Sequence, residues 1–205
     1  MRLTTILLVV ATAFVAAQSD LDPDSHARLP YLQRKDMDEK NVEVFDKLPG
    51  LGKDGVLKGP LAFAAYNPAV AKALFDLHNA AVAGTLTPHT RELAIMVACR
   101  ETNYNLEWNG HQATALKNGV DAKVLDVVRK RGALNGVDEK DAVVIRFGRQ
   151  MLTDKKVDSA TYAKVVELYG KKGAMDIVAI MITYADSGFY GIAVNEQPAP
   201  GKQPL

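Results

Sequence analysis

The chain has 205 residues, 48% hydrophobic and 24% charged, with a formal net charge of +1, the make-up of one ordinary globular domain with extensions. Lys and Arg are scattered, with only short clusters such as Arg129-Lys130-Arg131, so the electrostatic footprint of a nucleic-acid binder is missing. The single cysteine, Cys99, excludes an intrachain disulfide framework and a cysteine-rich metal centre.

Residues 1–17 differ in character from the rest of the chain. Met1-Arg2 gives a positive start, Leu3 to Ala17 is uncharged and strongly apolar, and Val15-Ala16-Ala17 precedes Gln18. This is the layout of a secretory signal peptide with cleavage near Ala17; the apolar run is shorter than the ~20 residues that span a bilayer. The expected mature protein is secreted or periplasmic, with no membrane association after cleavage.

From residue 18 to 60 the sequence is rich in Asp, Lys, Pro and Gly and reads as a polar arm packed on the domain. Asp36 to Leu48 has the pattern of one amphipathic helix, with Met37, Val42, Val44, Phe45 and Leu48 apolar, broken by Leu-Pro-Gly-Leu-Gly at 48–52. The domain proper is expected over 61–199, followed by a tail at 200–205.

Helix punctuation is dense in that domain. Asn67-Pro68 and Thr87-Pro88 each place a capping side chain before a proline at the first helical position. The first of these helices is predicted to stop at Gly84 and the second at about Glu101. Asn103 or Asn105 caps the next, which ends at Asn118-Gly119. Asp121 opens a helix closed by Gly132, and Asp138 opens another reaching about Leu152. Asp158 or Ser159 starts one that stops at Gly170, and Ala174 to about Tyr190 is a long apolar helix. Alternating strand patterns are absent, so the fold class is all-α, a compact bundle of six to eight helices.

Two of these helices carry the candidate chemistry. Arg91-Glu-Leu-Ala-Ile-Met-Val-Ala-Cys99 is apolar nearly all round, which singles out Glu92: a buried glutamate needs a partner. Equally, Glu92 in the first turn can face water and the helix dipole. On the next helix Glu107 and His111 are four residues apart and share a face. They read either as an exposed ion pair or as a histidine tuned by carboxylates for proton transfer. No His-x-x-x-His or His-x-Glu spacing supports a metal, and none is expected.

Thr-Pro-His-Thr-Arg-Glu-Leu-Ala-Ile-Met from Thr87, Glu-Trp-Asn-Gly-His from Glu107 and Asn-Gly-Val-Asp from Asn118 together resemble the carboxymuconolactone decarboxylase family, which includes the alkylhydroperoxidase D-like proteins. The resemblance continues more weakly through the Ile-Thr-Tyr-Ala-Asp-Ser-Gly-Phe-Tyr run near the end. It implies an alkylhydroperoxidase D-like helical fold, trimeric or hexameric assembly, and Glu92, Glu107 and His111 as catalytic residues. The peroxidase branch of the family has a Cys-x-x-Cys pair; Tyr104 and Glu107 stand at those positions here, and Cys99 lies upstream in the apolar run. The decarboxylase branch has the Glu-Trp-x-x-His arrangement matched by Glu107, Trp108 and His111, and uses no cofactor.

The resemblance therefore implies cofactor-independent decarboxylation, or a related proton transfer, on a small unsaturated or lactone carboxylic acid, with His111 as proton donor. Trp108, His89, Tyr104 and Cys99 are the expected pocket residues, His89 as a binder of the substrate carboxylate. His78, on the apolar face of an earlier helix, is expected in the core or in a pocket wall. The alternatives are a peroxiredoxin-like thiol activity, opposed by the missing cysteine pair, and a non-catalytic secreted helical module.

Overall fold

The computed structural model describes residues 20–198, 201 and 205. The expected signal peptide, residues 1–17, and most of the tail at 200–205 lie outside them. Among the described residues the chain forms seven α-helices and no strand, as the helix punctuation predicts. They are α1 (Val42–Phe45), α2 (Pro68–Val82), α3 (Pro88–Glu101), α4 (Asn105–Lys117), α5 (Ala122–Arg129), α6 (Glu139–Arg149) and α7 (Ser159–Ala193).

Capping sets most of the boundaries. Asn67, Thr87, Asp121, Asp138 and Asp158 each accept a hydrogen bond from a backbone N–H of the first turn through the side chain, and Pro68 and Pro88 occupy first positions that need no donor. α7 is broken at Gly170, whose φ of 70° and ψ of 169° are not helical, at the point where the sequence pattern ends one helix before another.

The connection between α3 and α4 differs from expectation in a way that matters for the site. Neither asparagine caps α4; its N-cap is Tyr104, with no side-chain hydrogen bond. Asn103 instead terminates α3 in the left-handed region at φ 52°. The Asn103 N–H donates to the Arg100 carbonyl and the Tyr104 N–H to the Cys99 carbonyl, at 3.2 and 2.8 Å, the bond pattern of a Schellman turn. That turn folds α4 back against α3 and fixes which faces meet.

α3 is the centre of the bundle. Leu93 through Cys99 are all buried, packed among α4, α6 and α7. The closest approaches use small residues: a Cβ on Gly148 of α6 would lie 2.4 Å from Val97 Cγ1 and 2.8 Å from Met181 Cε.

The arm contains less helix than its sequence pattern suggests. Of the span 36–48 only the single turn α1 is α-helical, preceded by a 3₁₀ turn at Arg34–Asp36. The Asp38 carboxylate takes up the backbone N–H groups of Lys40 and Asn41, a local turn that competes with helix. Phe45, Leu48 and Leu57 nevertheless bury themselves with Ala64, Ala65 and Ala71 in a second apolar cluster, against Leu74 of α2 and Tyr190 of α7. Isolated bridges Gln33–Val56 and Leu51–Leu57 tie the arm into a strap. It lies over the end of the bundle where the candidate site opens.

Candidate active site

The Schellman turn brings the second turn of α3 beside the middle of α4. Glu92, 4% exposed, meets His111 there, with His111 Nδ1 at 2.9 Å from Glu92 Oε2. From the preceding turn of α4, Glu107 places Oε2 3.3 Å from His111 Nε2. Glu107 is also buried, at 7%. The alternatives that the sequence left open, a solvated Glu92 and an exposed ion pair, are therefore not what the fold adopts. The three side chains form one cluster, a part-buried imidazole between two buried carboxylates.

The electrostatics follow from this arrangement. Burial alone would lower the His111 pKa, but the Glu107 and Glu92 carboxylates outweigh it and raise the group to about 9. At neutral pH the ring is an imidazolium with both N–H groups directed at carboxylates. The edge of His111 meets the Tyr184 ring at a centroid distance of 5.0 Å, and burial raises the Tyr184 phenol.

Glu107 and His111 open onto a cavity of about 420 Å³ that Glu92 does not line. Its other walls come from three elements. α2 contributes Leu74, Phe75 and His78; α7 contributes Thr183, Tyr184, Asp186 and Ser187; the arm contributes Pro49, Gly50 and Lys58 through Leu61. His78 stacks on Phe75 and tilts against Tyr184, and burial lowers its pKa; it is a pocket-wall histidine. Burial raises the Asp186 carboxyl to about 6.

The four residues expected to line the pocket beside the catalytic cluster lie elsewhere. Trp108 turns towards α5, walling a separate small cavity with Gln112 and Leu125, its ring stacked by the Arg129 guanidinium at 5.1 Å. His89 is held by Asp141 of α6, Nε2 to Oδ1 at 2.8 Å, so it is not placed to receive a substrate carboxylate in this cavity. Tyr104 lines a cleft of about 470 Å³ next to Glu196, slightly larger than the His111 cavity but without a histidine. Cys99 is fully buried in the core. Desolvation, with the nearby Glu107 and Glu92 charges, pushes its thiol well above the ordinary range.

Sequence reasoning misses Lys58, Tyr184 and Asp186. The available signal was the polar set Thr183, Asp186 and Ser187 at helical spacing in an otherwise apolar run. Nothing local marks Lys58, which reaches the site only through the path of the arm.

Two buried glutamates and a part-buried histidine beside a cavity thus sit within an all-α bundle. Residues 68–145 match the model of the carboxymuconolactone decarboxylase family. The match runs from α2 into α6 and so holds the whole cluster. Among solved structures, the chain is similar to an uncharacterized peroxidase-related protein from Ralstonia eutropha JMP134, described as an alkylhydroperoxidase AhpD core. The TM-score is 0.61 at 22% identity, covering 88% of this chain and 98% of that one. It is also similar to the debrominase Bmp8, in a cysteine-to-alanine form in complex with 2,3,4-tribromopyrrole, with a TM-score of 0.60 at 19% identity over 82% of this chain and 89% of that one. At these identities the likeness is one of fold. No curated protein matches the chain.

Proposed function

We propose that the chain is a cofactor-independent lyase that decarboxylates a small unsaturated or lactone carboxylic acid. The observation that carries this reading is the part-buried His111 imidazolium, held by the buried Glu92 and Glu107 beside a cavity large enough for a small ring. The chemistry needs little more. The bond from carbon to the carboxylate breaks, carbon dioxide leaves, and the electron pair flows into the conjugated carbonyl to give a dienolate. His111 then gives a proton to carbon and recovers one from solvent. Glu92 holds Nδ1–H, and the longer contact on the cavity side leaves Nε2–H as the transferable proton. Lys58, exposed on the cavity lining and paired with no carboxylate among the described residues, takes the carboxylate-binding role first expected of His89.

Cys99 weighs against the thiol peroxidase alternative. A nucleophilic thiol needs thiolate character and access, and this one has neither. The convergence of Glu92, Glu107 and His111 weighs against a non-catalytic module. Export with cleavage near Ala17 is part of the proposal, and the mass of the mature protein tests it. So is self-association into trimers or hexamers, supported by Met175, Ile182 and Phe189, which α7 leaves about half exposed, and tested by light scattering.

The direct test is carbon dioxide release from γ-carboxybutenolide, an unsaturated lactone acid whose carboxylate stands on the saturated carbon γ to the carbonyl, by the wild type and by His111→Ala. Release by the wild type that is lost in the variant supports the proposal. A wild type inert towards γ-carboxybutenolide and other lactone acids of this kind overturns it.

A further inference from the structure

Decarboxylation as proposed uses His111 with its flanking glutamates, yet a further carboxylate lines the same cavity. Asp186 of α7 lines the same cavity as His111 and Glu107. Its one hydrogen-bond partner among the described residues is its neighbour, the Ser187 hydroxyl, at 3.1 Å, and no cation lies within ion-pair distance of it among those residues. A carboxylate paired for structural reasons has a partner, as Asp176 on the same helix has in Thr85 and Lys172.

We propose that Asp186 is a base working opposite the His111 acid, so that the pocket also moves a proton between two carbons of an unsaturated lactone. The step is a 1,3-proton shift. The Asp186 carboxylate takes the proton from the carbon next to the lactone carbonyl, that C–H bond breaks, and its electrons form the dienolate. The His111 imidazolium protonates the far carbon of the dienolate, and water returns the proton from Asp186 to His111. Nothing is oxidised or reduced, and no co-reactant is consumed. The inference rests on the proposed role of His111 but adds an activity that needs no carboxylate on the substrate.

The surroundings suit the two groups to opposite roles. Asp186 shares the cavity lining with Glu107 and His111 of α4, His78 of α2, Lys58 of the arm, and Tyr184 and Ser187 of its own helix. Burial and the Glu107 charge raise its carboxyl to about 6, while His111 stands at about 9. Between those values the base is free and the acid is loaded, the separation that acid–base pairs require.

The probe is α-angelica lactone, a neutral lactone whose double bond moves into conjugation by this shift, followed by NMR on the full chain. Isomerisation by the wild type is expected between pH 6 and 9, falling off on both sides. Asp186→Asn should lose about 100-fold or more of it while still releasing carbon dioxide from γ-carboxybutenolide, and Asp186→Glu should restore part of the rate with a displaced acidic limb. His111→Gln should lose both reactions. Isomerisation by Asp186→Asn at the wild-type rate, or a wild type that decarboxylates γ-carboxybutenolide without isomerising the lactone, overturns the inference and leaves the decarboxylase reading standing. A wild type that does neither overturns both.

Discussion

His111 Nδ1 lies 2.9 Å from Glu92 Oε2, joining the second turn of α3 to the middle of α4 across nineteen residues of chain. The contact helps hold His111 charged against the cost of its burial and fixes the orientation of the ring. The contact couples the stability of the bundle to the protonation of the residue proposed to do the chemistry.

That coupling has a defined sign. His111 is raised from 6.5 to about 9 in the folded chain, so its contribution is fully present below pH 6.5 and is lost as pH rises towards 9. The rise corresponds to about 3 kcal/mol. Asp186 and Glu196, raised by burial to about 6 and about 7, act mainly below that window. Urea unfolding between pH 6.5 and 9.5 should show the wild type losing stability on this scale. A His111→Gln variant should lose distinctly less over the same interval, with Glu196 and Cys99 contributing a remainder at its two ends, and equal slopes would remove His111 as the cause.

Lys58 gives a prediction about substrate selection. Its backbone is fixed, the N–H donating to the Gly50 carbonyl at 3.1 Å beside the buried Leu57, whereas the ammonium lies over the Tyr31 ring at 6.0 Å and pairs with no carboxylate among the described residues. Lys58→Met should raise KM for γ-carboxybutenolide about fivefold, as loss of one solvent-accessible charge contact of about 1 kcal/mol allows. It should leave kcat, and the binding of the neutral methyl ester, close to wild type. Equal effects on acid and ester would assign Lys58 to packing of the strap.

The fold was legible because its signals are local. Asn67-Pro68, Thr87-Pro88 and the aspartates at 121, 138 and 158 cap helices through contacts within three residues. The Glu107–His111 spacing was legible for the same reason, since one turn of helix fixes it. Asn103 misled because the left-handed conformation it adopts at the end of α3 leaves the same sequence mark as a cap for α4. Trp108 and His89 misled because helical spacing does not say which of two neighbouring helices a side chain meets; they turn to α5 and α6. Lys58 and Asp186 reach the cavity through tertiary packing of the strap and α7, which no local pattern encodes.

Cys99 should behave as a core residue. It is fully buried and its thiol is raised by desolvation, so an aromatic disulfide reagent should leave the native chain unlabelled and label one thiol in guanidinium. Peroxide consumption should be the same in the wild type and in Cys99→Ser. Rapid labelling of the native protein, or a peroxide turnover lost in that variant, would return the thiol to the mechanism.

Gly148 tests the packing that holds the cluster in place. It lies where α6 crosses α3 and α7, and an added Cβ would stand 2.4 Å from Val97 Cγ1 and 2.8 Å from Met181 Cε, distances no real contact shows. Met181 can swing aside, but Val97 is a branched residue on the buried central helix and yields only if α3 itself shifts. Gly148→Ala should therefore cost about 1–3 kcal/mol, despite the higher intrinsic helix propensity of alanine. Because α3 carries Glu92, the same displacement should lengthen the Glu92–His111 contact and lower the His111 pKa, read by NMR titration of its ring. Pairing Gly148→Ala with Val97→Ala should recover part of the stability and move the His111 titration back towards its wild-type position. A Gly148→Ala chain as stable as wild type would mean that the α3–α6 crossing is looser than this geometry requires.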